Sequence, residues 1–441
     1  MKRLIFFLFA VFISGLITGC GSESAPEITE ETATATVFQS QNLSKYTIVY
    51  GESNPEYAQL ANTLADHFLE TYDAFLTTAG HTQLSPTPYE IVLGDTDRTD
   101  RQGRIMEYSI TVESGKFFIH AGGAFSAQAA IDYLCRNIWN GEAFTLEEGE
   151  YYETSLLTKT QAVADGTSAR IMSANVLADA FADSTCQNAC YRAEIFAGML
   201  ISYTPDILGL QETDETWNEI LDVYLEKIQN LYSISYTRHL NTYENKVNYT
   251  SLLYRSDKFQ VENSGVHLFP WWTDSAFHHN YHMRNISWAQ FVPLDSTQKA
   301  FLVASTHWSY RTEHANGSTF LAGSDAPIAE NQLRLQCKDE TDAFLTTLRQ
   351  TYPETPIFLT GDFNTSLSFF TDSGWTPTGF QIISEEAKAS GKSISLIPAS
   401  GHYDHLFGSG TYTIKLFGSD NEHNEHSTLT DHPFVYADIA F

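Results

Sequence analysis

The sequence predicts an α/β protein with two globular domains. Its 441 residues are enough for two or three domains, and its 42% apolar and 13% aromatic content is enough for sizeable cores. Short runs of apolar and β-branched residues alternate with segments whose apolar residues recur at helical spacing, as is typical of α/β proteins. Several of the later runs end directly in a polar side chain, which indicates functional groups at strand ends.

The first 20 residues predict an export signal of the lipoprotein type. Lys2 and Arg3 precede an apolar run, Leu4–Ile17, which is short for a membrane span and suits the core of a signal peptide. A small residue directly before Cys20 resembles a bacterial lipobox, so we expect Cys20 to be lipidated; the alternative is an ordinary signal peptide. The expected location is therefore outside the cytoplasm, anchored to a bacterial membrane. The polar, acidic segment 21–44 predicts a disordered tether.

Residues 45–160 predict a small α/β domain. Pro55 to about Thr78 and Phe125–Trp139 have helical spacing, whereas Tyr89–Leu93 and the runs that flank Glu113–Gly115 predict strands. The order of these segments, with "YEIVLGDTDR" and "AGGAFSAQAAIDYL", resembles the N-terminal accessory domain of bacterial α-glucuronidases and hexosaminidases. The resemblance implies a structural or glycan-facing domain, and the absence of a catalytic constellation in it favours the structural role.

Residues 168–441 predict a second domain in which strand after strand ends in a polar group. The runs and the groups at their ends are Arg170–Asn175 with Asn175, Asp206–Leu210 with Glu212, Phe301–Thr306 with His307, and Ile357–Leu359 with Asp362 and Asn364. Two pairs, Asp404-His405 and Asp431-His432, directly precede apolar runs. Carboxylates at strand ends are natural ligands for hard cations, and Asp beside Asn offers both an acceptor for a water proton and a donor for an oxyanion.

Each of these signals has an ordinary structural alternative when it is taken alone. Asp362 and Asn364 also fit an Asx turn, and Glu212 fits an acid at a helix N-terminus. His307 at a strand end fits a structural histidine, and Arg284, which opens "RNISWAQF", fits a surface ion pair. Between these segments, Ser251–Arg255 and Val261–Leu268 are expected to form paired strands.

The motifs of the second domain, taken together, resemble a known family. "LQET", "STHW", "GDFN", "DHLF" and "TDHPFV" occur in the order found in the endonuclease/exonuclease/phosphatase superfamily, and the resemblance covers about Ala169–Phe441. It implies a four-layer α/β sandwich of the DNase I type, with two mostly antiparallel sheets packed face to face. It also implies that the active-site residues gather at one end of the sheets.

The resemblance implies a metal-dependent phosphoesterase. Glu212 is the expected main Mg²⁺ ligand, with Asn175 and Asp431 nearby, and Mn²⁺ or Ca²⁺ are the alternative ions. Asp362 is expected to orient and deprotonate the attacking water, and Asn364 to donate a hydrogen bond to a phosphate oxygen.

The resemblance assigns the remaining polar groups to the phosphate. His432 is expected on the scissile phosphate and oriented by Asp404. His307 is expected to bind another phosphate oxygen or to assist the leaving group, and Arg284 to add a cation. A zinc site at His278, His279 and His282, or at His423 and His426, is the less favoured alternative.

The charge of the chain bears on the substrate. With 54 acidic and 25 basic residues the net charge is −29, which disfavours a protein that grips long polyanions through a basic surface. We expect a monomer that acts on a small phosphomonoester or phosphodiester; a phospholipid is the second choice and nucleic acid the third. A different class also stays open, namely a glycan- or surface-binding lipoprotein whose hydrolase domain is inactive.

Overall fold

The computed structural model describes residues 37–157, 160–178, 188–239, 242–243, 246–247, 250–269, 284–308, 327–373, 376–394, 403–420 and 429–441. Cys20 and the histidines at 278, 279, 282, 423 and 426 lie outside these ranges. Residues Ala35–Phe441 form one compact unit. Within the described ranges, no helix has the length and apolar character needed to cross a membrane.

The first domain is built on one six-stranded sheet. Its elements are β1 (Val37–Gln39), a 3-10 helix (Ser40–Lys45), β2 (Thr47–Tyr50), α1 (Glu56–Tyr72), β3 (Thr77–Gly80), β4 (Glu90–Leu93), β5 (Glu107–Glu113), β6 (Lys116–Ala121), α2 (Ala124–Asn137), β7 (Thr145–Glu147) and β8 (Gly149–Ser155). The sheet order is β3-β2-β4-β6-β5-β8, and β1 pairs with β7. The first four strands of the sheet are parallel, whereas β5 and β8 are antiparallel to their neighbours.

Helix α1 is shorter than its apolar pattern predicts. The helix ends at Tyr72 because Asp73 adopts a left-handed conformation with φ of 50°, and β3 follows where the pattern continues the helix to Thr78. Phe75, an apolar position of the predicted helix, is 70% exposed. Strand β3 is short and carries no large apolar side chain, so its sequence lacks a strand signal.

The first domain begins at Val37, inside the segment 21–44 that the composition predicts to be a disordered tether. Phe38 and Leu43 are fully buried in the core of this domain. The ring of Phe38 lies 4.8 Å from that of Phe117, against which it packs. Three apolar residues, Val37, Phe38 and Leu43, in an otherwise polar stretch create no periodicity, which is why the sequence does not reveal this part of the domain.

The second domain contains two six-stranded sheets. Its elements are β9 (Ala169–Asn175), α3 (Ala189–Tyr203), β10 (Ile207–Gln211), α4 (Glu215–Tyr232), β11 (Tyr236–His239), β12 (Thr242–Tyr243), β13 (Lys246–Val247), β14 (Thr250–Arg255), β15 (Phe259–Leu268), β16 (Asn285–Pro293), β17 (Phe301–His307), α5 (Pro327–Thr351), β18 (Ile357–Asp362), α6 (Leu367–Ser373), β19 (Gln381–Ile382), α7 (Ile383–Ala389), β20 (Asp404–Ser409), β21 (Thr413–Asp420) and β22 (Phe434–Ala440). The sheet orders are β11-β14-β10-β9-β22-β21 and β15-β16-β17-β18-β20-β19.

The expected pairing of Ser251–Arg255 with Val261–Leu268 is wrong. Strand β14 pairs with β10 and β11 in the first of these sheets, whereas β15 pairs with β16 in the second. The short connection between β14 and β15 therefore crosses from one sheet to the other. Phe259, at the start of β15, is buried in the core between the two sheets.

The second domain is a four-layer α/β sandwich. Apolar side chains from both sheets fill the space between them, among them Ile171, Phe301 and Phe358. Helices α3 and α4 cover the outer face of the β9 sheet, and α5 and α6 cover the outer face of the β17 sheet. This arrangement confirms the fold class that the sequence motifs imply.

The topology brings the polar strand ends to one edge of the sandwich. Strands β9 and β10 are parallel neighbours, and so are β17 and β18, so Asn175 aligns with Gln211 and His307 aligns with Asp362. Strand β20 runs antiparallel to β18, and its first residue, Asp404, aligns with Asp362. Parallel strands place their carboxyl ends at the same edge, and an antiparallel strand contributes its start there.

Candidate active site

Glu212 lies directly after β10 in a strained backbone conformation. Its φ of 64° is unusual for a residue with a side chain. The two carboxylate oxygens are held separately: Oε1 accepts from Nδ2 of Asn175 at 3.0 Å, and Oε2 accepts from the backbone N–H of Ala178 at 3.1 Å. The strain and the two hydrogen bonds fix this carboxylate at the edge of the sandwich.

Asp362, the last residue of β18, is the centre of the cluster. Its Oδ2 atom accepts from Nδ2 of Asn175 at 3.0 Å and lies 3.3 Å from Nε2 of His307. Its Oδ1 atom accepts from the backbone N–H of Asn364 at 2.8 Å. The last contact closes an Asx turn, which is the ordinary structural interpretation of this motif.

The surroundings keep the two carboxylates ionised. Burial opposes ionisation, but His432, His307 and the Asn364 N–H outweigh it and hold the pKa of Asp362 well below its usual range. Burial likewise opposes the ionisation of Glu212, yet His307 and the donated hydrogen bonds lower its pKa. Burial, together with the nearby Arg284, lowers the pKa of His307 and favours the neutral imidazole.

His432 is held by Asp404. Its Nδ1 atom lies 2.6 Å from Oδ2 of the fully buried Asp404, and its Nε2 atom lies 3.7 Å from Oδ2 of Asp362. Burial alone would lower the pKa of His432, but the carboxylates of Asp404 and Asp362 raise it well above the usual range. The second ring nitrogen of a cationic imidazole is therefore directed at the cluster.

Glu212, His307 and Asp362 form a group whose donor atoms all lie within 4.8 Å of one another. Two close carboxylates that both stay ionised fit a divalent cation, because a cation offsets their mutual repulsion. Carboxylate oxygens suit Mg²⁺, whereas the imidazole of His307 also suits transition metals. Phosphate-ester hydrolysis uses such an ion as a Lewis acid.

This group differs from the ligand set expected from the sequence, which was Glu212 with Asn175 and Asp431. Asn175 directs its NH₂ group at both carboxylates, while its Oδ1 atom accepts from the Leu177 N–H at 3.0 Å. The side chain of Asp431 is 67% exposed, and its Oδ1 atom lies 3.7 Å from Nε2 of His432. In this arrangement the Asn175 amide donates a hydrogen bond to each of the two carboxylates, and Asp431 lies at the rim of the site.

Asn364 and Arg284 are also at the site. Asn364 has a φ of 49°, and its Nδ2 atom donates to the carbonyl of Trp308 at 2.9 Å, which fixes the amide beside Asp362. Arg284 is 3% exposed, and its Nη1 atom donates to the carbonyl of His307 at 3.4 Å. The Nε atom of Arg284 is buried and has no hydrogen-bond partner among the described residues. A buried, unpaired N–H of a cation suits an anionic oxygen.

The structure adds groups that the sequence did not single out. Thr430 donates its hydroxyl to the carbonyl of Asn175 at 2.8 Å and accepts from the backbone N–H of His432 at 3.3 Å, so it ties the two loops together. The backbone N–H of Ala178 and the carbonyl of Trp308 orient Glu212 and Asn364. Backbone groups carry no residue signal, and only the position of Thr430 inside "LTDHPFV" hinted at its role.

Comparison with solved structures gives similar folds at low sequence identity. An endonuclease/exonuclease/phosphatase from Bacteroides vulgatus is 20% identical with a TM-score of 0.45, covering 62% of this chain and 98% of that one. A mannosyl-6-phosphatase of Bacteroides thetaiotaomicron is 19% identical with a TM-score of 0.44, covering 62% and 100%. The human Nocturnin catalytic domain is 16% identical with a TM-score of 0.41, covering 62% and 94%. No curated protein sequence matches the chain.

The sequence model of the Endonuclease/Exonuclease/phosphatase family matches residues 172–432, which is more than half of the chain. The matched region begins inside β9 and ends at His432, so it includes every group of the cluster described above. Members of the family are hydrolases that act on phosphate esters. The chain therefore belongs to the endonuclease/exonuclease/phosphatase family.

Proposed function

We propose that the protein is a metal-dependent phosphoesterase that hydrolyses a phosphomonoester or phosphodiester of a small molecule outside the cell. The observation that carries the proposal is the convergence of Glu212, His307 and Asp362, with donor atoms within 4.8 Å, beside the His432–Asp404 pair. A bound Mg²⁺, or Mn²⁺ or Ca²⁺ in its place, would be held by Glu212 and its neighbours and would neutralise charge on the phosphate.

Asp362 holds the attacking water in this proposal. Its carboxylate stays ionised, so it accepts a hydrogen bond from the water and takes up the proton as the water attacks phosphorus. The backbone N–H of Asn364 and the NH₂ of Asn175 fix both oxygens of this carboxylate. An acceptor that cannot rotate aims the water along one direction, which favours in-line attack.

The remaining groups bind the phosphoryl oxygens. His432, cationic and held through Nδ1 by Asp404, offers its Nε2–H to the scissile phosphate. His307 lies 3.3 Å from Asp362 and 3.9 Å from Glu212, which suits a donor to a neighbouring oxygen or to the leaving group. Arg284 adds a buried positive charge behind His307. Donors fixed before the reaction stabilise charge that develops in the transition state.

Charge supports a small substrate. The net charge of −29 repels long polyanions, and repulsion from anionic membrane surfaces also places phospholipids behind soluble phosphoesters. Nucleic acid is the third choice for the same reason. A phosphorylated sugar is one of the small phosphoesters to test.

The proposed location rests on the sequence of the N-terminus. We propose that the chain is exported and anchored to a bacterial membrane through lipidated Cys20. Mass spectrometry of the protein purified from the membrane fraction would detect diacylglycerol on Cys20. Substitution Cys20→Ser should release the protein into the soluble fraction, whereas an unchanged membrane fraction would contradict the anchor.

A substrate panel tests the reaction. Bis-p-nitrophenyl phosphate, p-nitrophenyl phosphate, sugar phosphates, sphingomyelin and single-stranded DNA are offered with Mg²⁺, Mn²⁺ or Ca²⁺ and with EDTA. We expect turnover of a small ester that needs the metal and is lost in Asp362→Ala. Turnover that survives both EDTA and the substitution would refute the mechanism. Saccharide binding without any metal-dependent turnover would favour the inactive, glycan-binding alternative.

A further inference from the structure

A cavity of about 560 Å³ lies between the first domain and helix α4, on the opposite side of α3 and α4 from the β-sandwich core. All four parallel strands of the first sheet send the residues that follow them into its wall. These are Asn54 after β2, His81 after β3, Asp95 after β4 and Gly123 after β6. The facing wall is one side of α4.

This position is where open α/β sheets bind ligands. The loops that follow parallel strands meet at the carboxyl edge of a sheet, and the crevice there is the usual ligand site of such folds. In this protein α4 of the second domain forms the other side of the crevice, which remains open to solvent. The volume lies in the range of small-molecule sites.

The charges of the cavity disfavour an anion. Lys227 of α4 is paired, since its Nζ atom lies 2.6 Å from Oδ2 of Asp95 and 2.8 Å from the carbonyl of Gly122. The first N–H groups of α2 are covered by the carboxylate of Glu194, which accepts from the N–H of Ser126 at 3.0 Å. Two further lining residues, Glu219 and Glu226, are acidic and exposed on α4.

The uncharged groups of the cavity suit hydroxyls. Side-chain amides both donate and accept hydrogen bonds, as binding of hydroxyl groups requires. The side-chain amides of Asn54 and Gln102 line the cavity, and Ile220 and Val223 supply an apolar patch. A ring that carries hydroxyls at its edge and C–H groups on its face matches this mixture.

We propose that the cavity is a binding site for a neutral saccharide. Its hydroxyls would bond to the amides of Asn54 and Gln102 and to the acidic side chains of α4, and its apolar face would pack on Ile220 and Val223. The site is separate from the phosphoester site and contains no group of that cluster. The inference does not rest on the proposed hydrolysis, and binding needs no metal.

Calorimetry with the purified full chain tests the proposal. Neutral oligosaccharides of glucose, mannose, galactose, xylose and N-acetylglucosamine are titrated in EDTA. Val223 is 47% exposed, so Val223→Trp should fold and fill the cavity, and Val163→Trp, at a residue 39% exposed in the linker, is the matched control. We expect at least one saccharide to bind, with affinity at least tenfold weaker in Val223→Trp and unchanged within twofold in Val163→Trp.

A milder variant guards against a folding defect. Glu226→Gln keeps the volume of the side chain but weakens its acceptor strength, and we expect severalfold weaker binding with an unchanged melting temperature. Asp362→Asn should bind the saccharide normally even if it hydrolyses nothing. The proposal is overturned if no saccharide binds, if Val223→Trp binds as the wild type does, or if a phosphorylated sugar or a polyamine occupies the cavity in preference to the neutral sugar.

Discussion

The Nδ1 atom of His432 lies 2.6 Å from Oδ2 of Asp404, a residue with no exposed surface. The contact joins the segment before β22 to the first residue of β20, and so it links the two sheets of the sandwich at the edge where the active-site groups meet. It fixes the ring of His432 and holds its Nε2 atom 3.7 Å from Asp362. Carboxylate–histidine pairs of this kind orient the ring and stabilise its cationic form.

Replacing Asp404 by Asn should impair catalysis without unfolding the protein. We expect kcat to fall by roughly 10² to 10⁴, because the amide keeps the shape but not the charge that supports cationic His432. The alkaline limb of the kcat profile should move to lower pH, since loss of the anion lowers the pKa of His432. Asp339→Asn, at a side chain 73% exposed, is the control. An unchanged pH profile would show that Asp404 does not act through His432.

Arg192 should strengthen metal binding by positioning the backbone around the site. Its Nη1 atom donates to the carbonyls of Val176, Leu177 and Leu429 at 2.8, 2.7 and 3.0 Å, and its guanidinium lies over the ring of Trp217. One buried side chain thus clamps the loop that carries the Ala178 N–H and the segment that leads to His432.

Substitution Arg192→Lys keeps the charge but not the geometry of the guanidinium. We expect the free energy of unfolding to fall by about 2 kcal/mol, because backbone carbonyls lose their donors, and Mg²⁺ affinity to fall by roughly tenfold. Denaturant titration and calorimetry measure the two effects. Arg136→Lys, at a residue 78% exposed on α2, is the matched control. Wild-type Mg²⁺ affinity in Arg192→Lys would remove the positioning role.

His120 should make the first domain sensitive to acid. It is 3% exposed, and burial, with a smaller effect of Arg101, lowers its pKa from 6.5 to about 4. The folded state therefore binds fewer protons than the unfolded state between these values, so stability is full above pH 6.5 and is lost as the pH falls towards 4. The loss is at most about 3 kcal/mol.

The comparison of wild type with His120→Gln isolates this effect, because other groups titrate in both proteins. The amide can still bond to Thr111, whose Oγ1 atom lies 3.2 Å from Nε2 of His120. We expect urea denaturation to show a steeper loss of stability from pH 6.5 to 4 in the wild type than in the variant. Parallel pH dependences in the two proteins would mean that His120 does not titrate in this window.

Glu194 should hold the two domains together. From α3 its buried carboxylate accepts from the N–H of Met106 at 3.0 Å and from the N–H and hydroxyl of Ser126 at 3.0 and 2.7 Å. Burial raises its pKa, although these bonds oppose the rise. Glu194→Ala leaves the buried N–H groups of Met106 and Ser126 without this partner, whereas the Ser126 hydroxyl can still donate to the Gly123 carbonyl. We expect a loss of about 3 kcal/mol in the free energy of unfolding.

Differential scanning calorimetry measures the effect of Glu194→Ala, with Glu70→Ala, at an exposed position of α1, as the control. We expect the variant to lower the melting temperature or to split the transition into two, one for each domain. A melting curve that coincides with those of the wild type and Glu70→Ala would show that this contact contributes nothing to the interface.

The sequence predicts the fold class and several of the polar side chains that meet at the edge of the sandwich, because both depend on local signals. The short apolar run before Asp362 specifies β18, and the polar residues at its end specify where chemistry can occur. The strand register then brings these side chains together, since His307 and Asp404 both align with Asp362 on neighbouring strands. Ordered motifs therefore suffice to assemble these residues.

Features that depend on tertiary contacts escape sequence analysis. Arg192 lies in an apolar helical pattern and has no local signal for the three backbone carbonyls that it binds. Phe38 belongs to the core although most of the residues around it in the sequence are polar. Strands β14 and β15 enter different sheets although they follow each other closely. The orientation of Asn175, with its NH₂ group towards both carboxylates, is set by the Leu177 N–H and by neighbours distant in sequence.

The proposed metal-dependent hydrolysis is tested most directly with bis-p-nitrophenyl phosphate. Turnover is measured for the wild type and for Glu212→Gln, each with Mg²⁺ and with EDTA. Gln keeps the size and the hydrogen-bonding oxygen of Glu212 but removes its charge. We expect metal-dependent turnover in the wild type and at least about a hundredfold less in Glu212→Gln, with Glu219→Gln unaffected. Wild-type turnover in Glu212→Gln, or equal rates in Mg²⁺ and EDTA, would contradict the proposal.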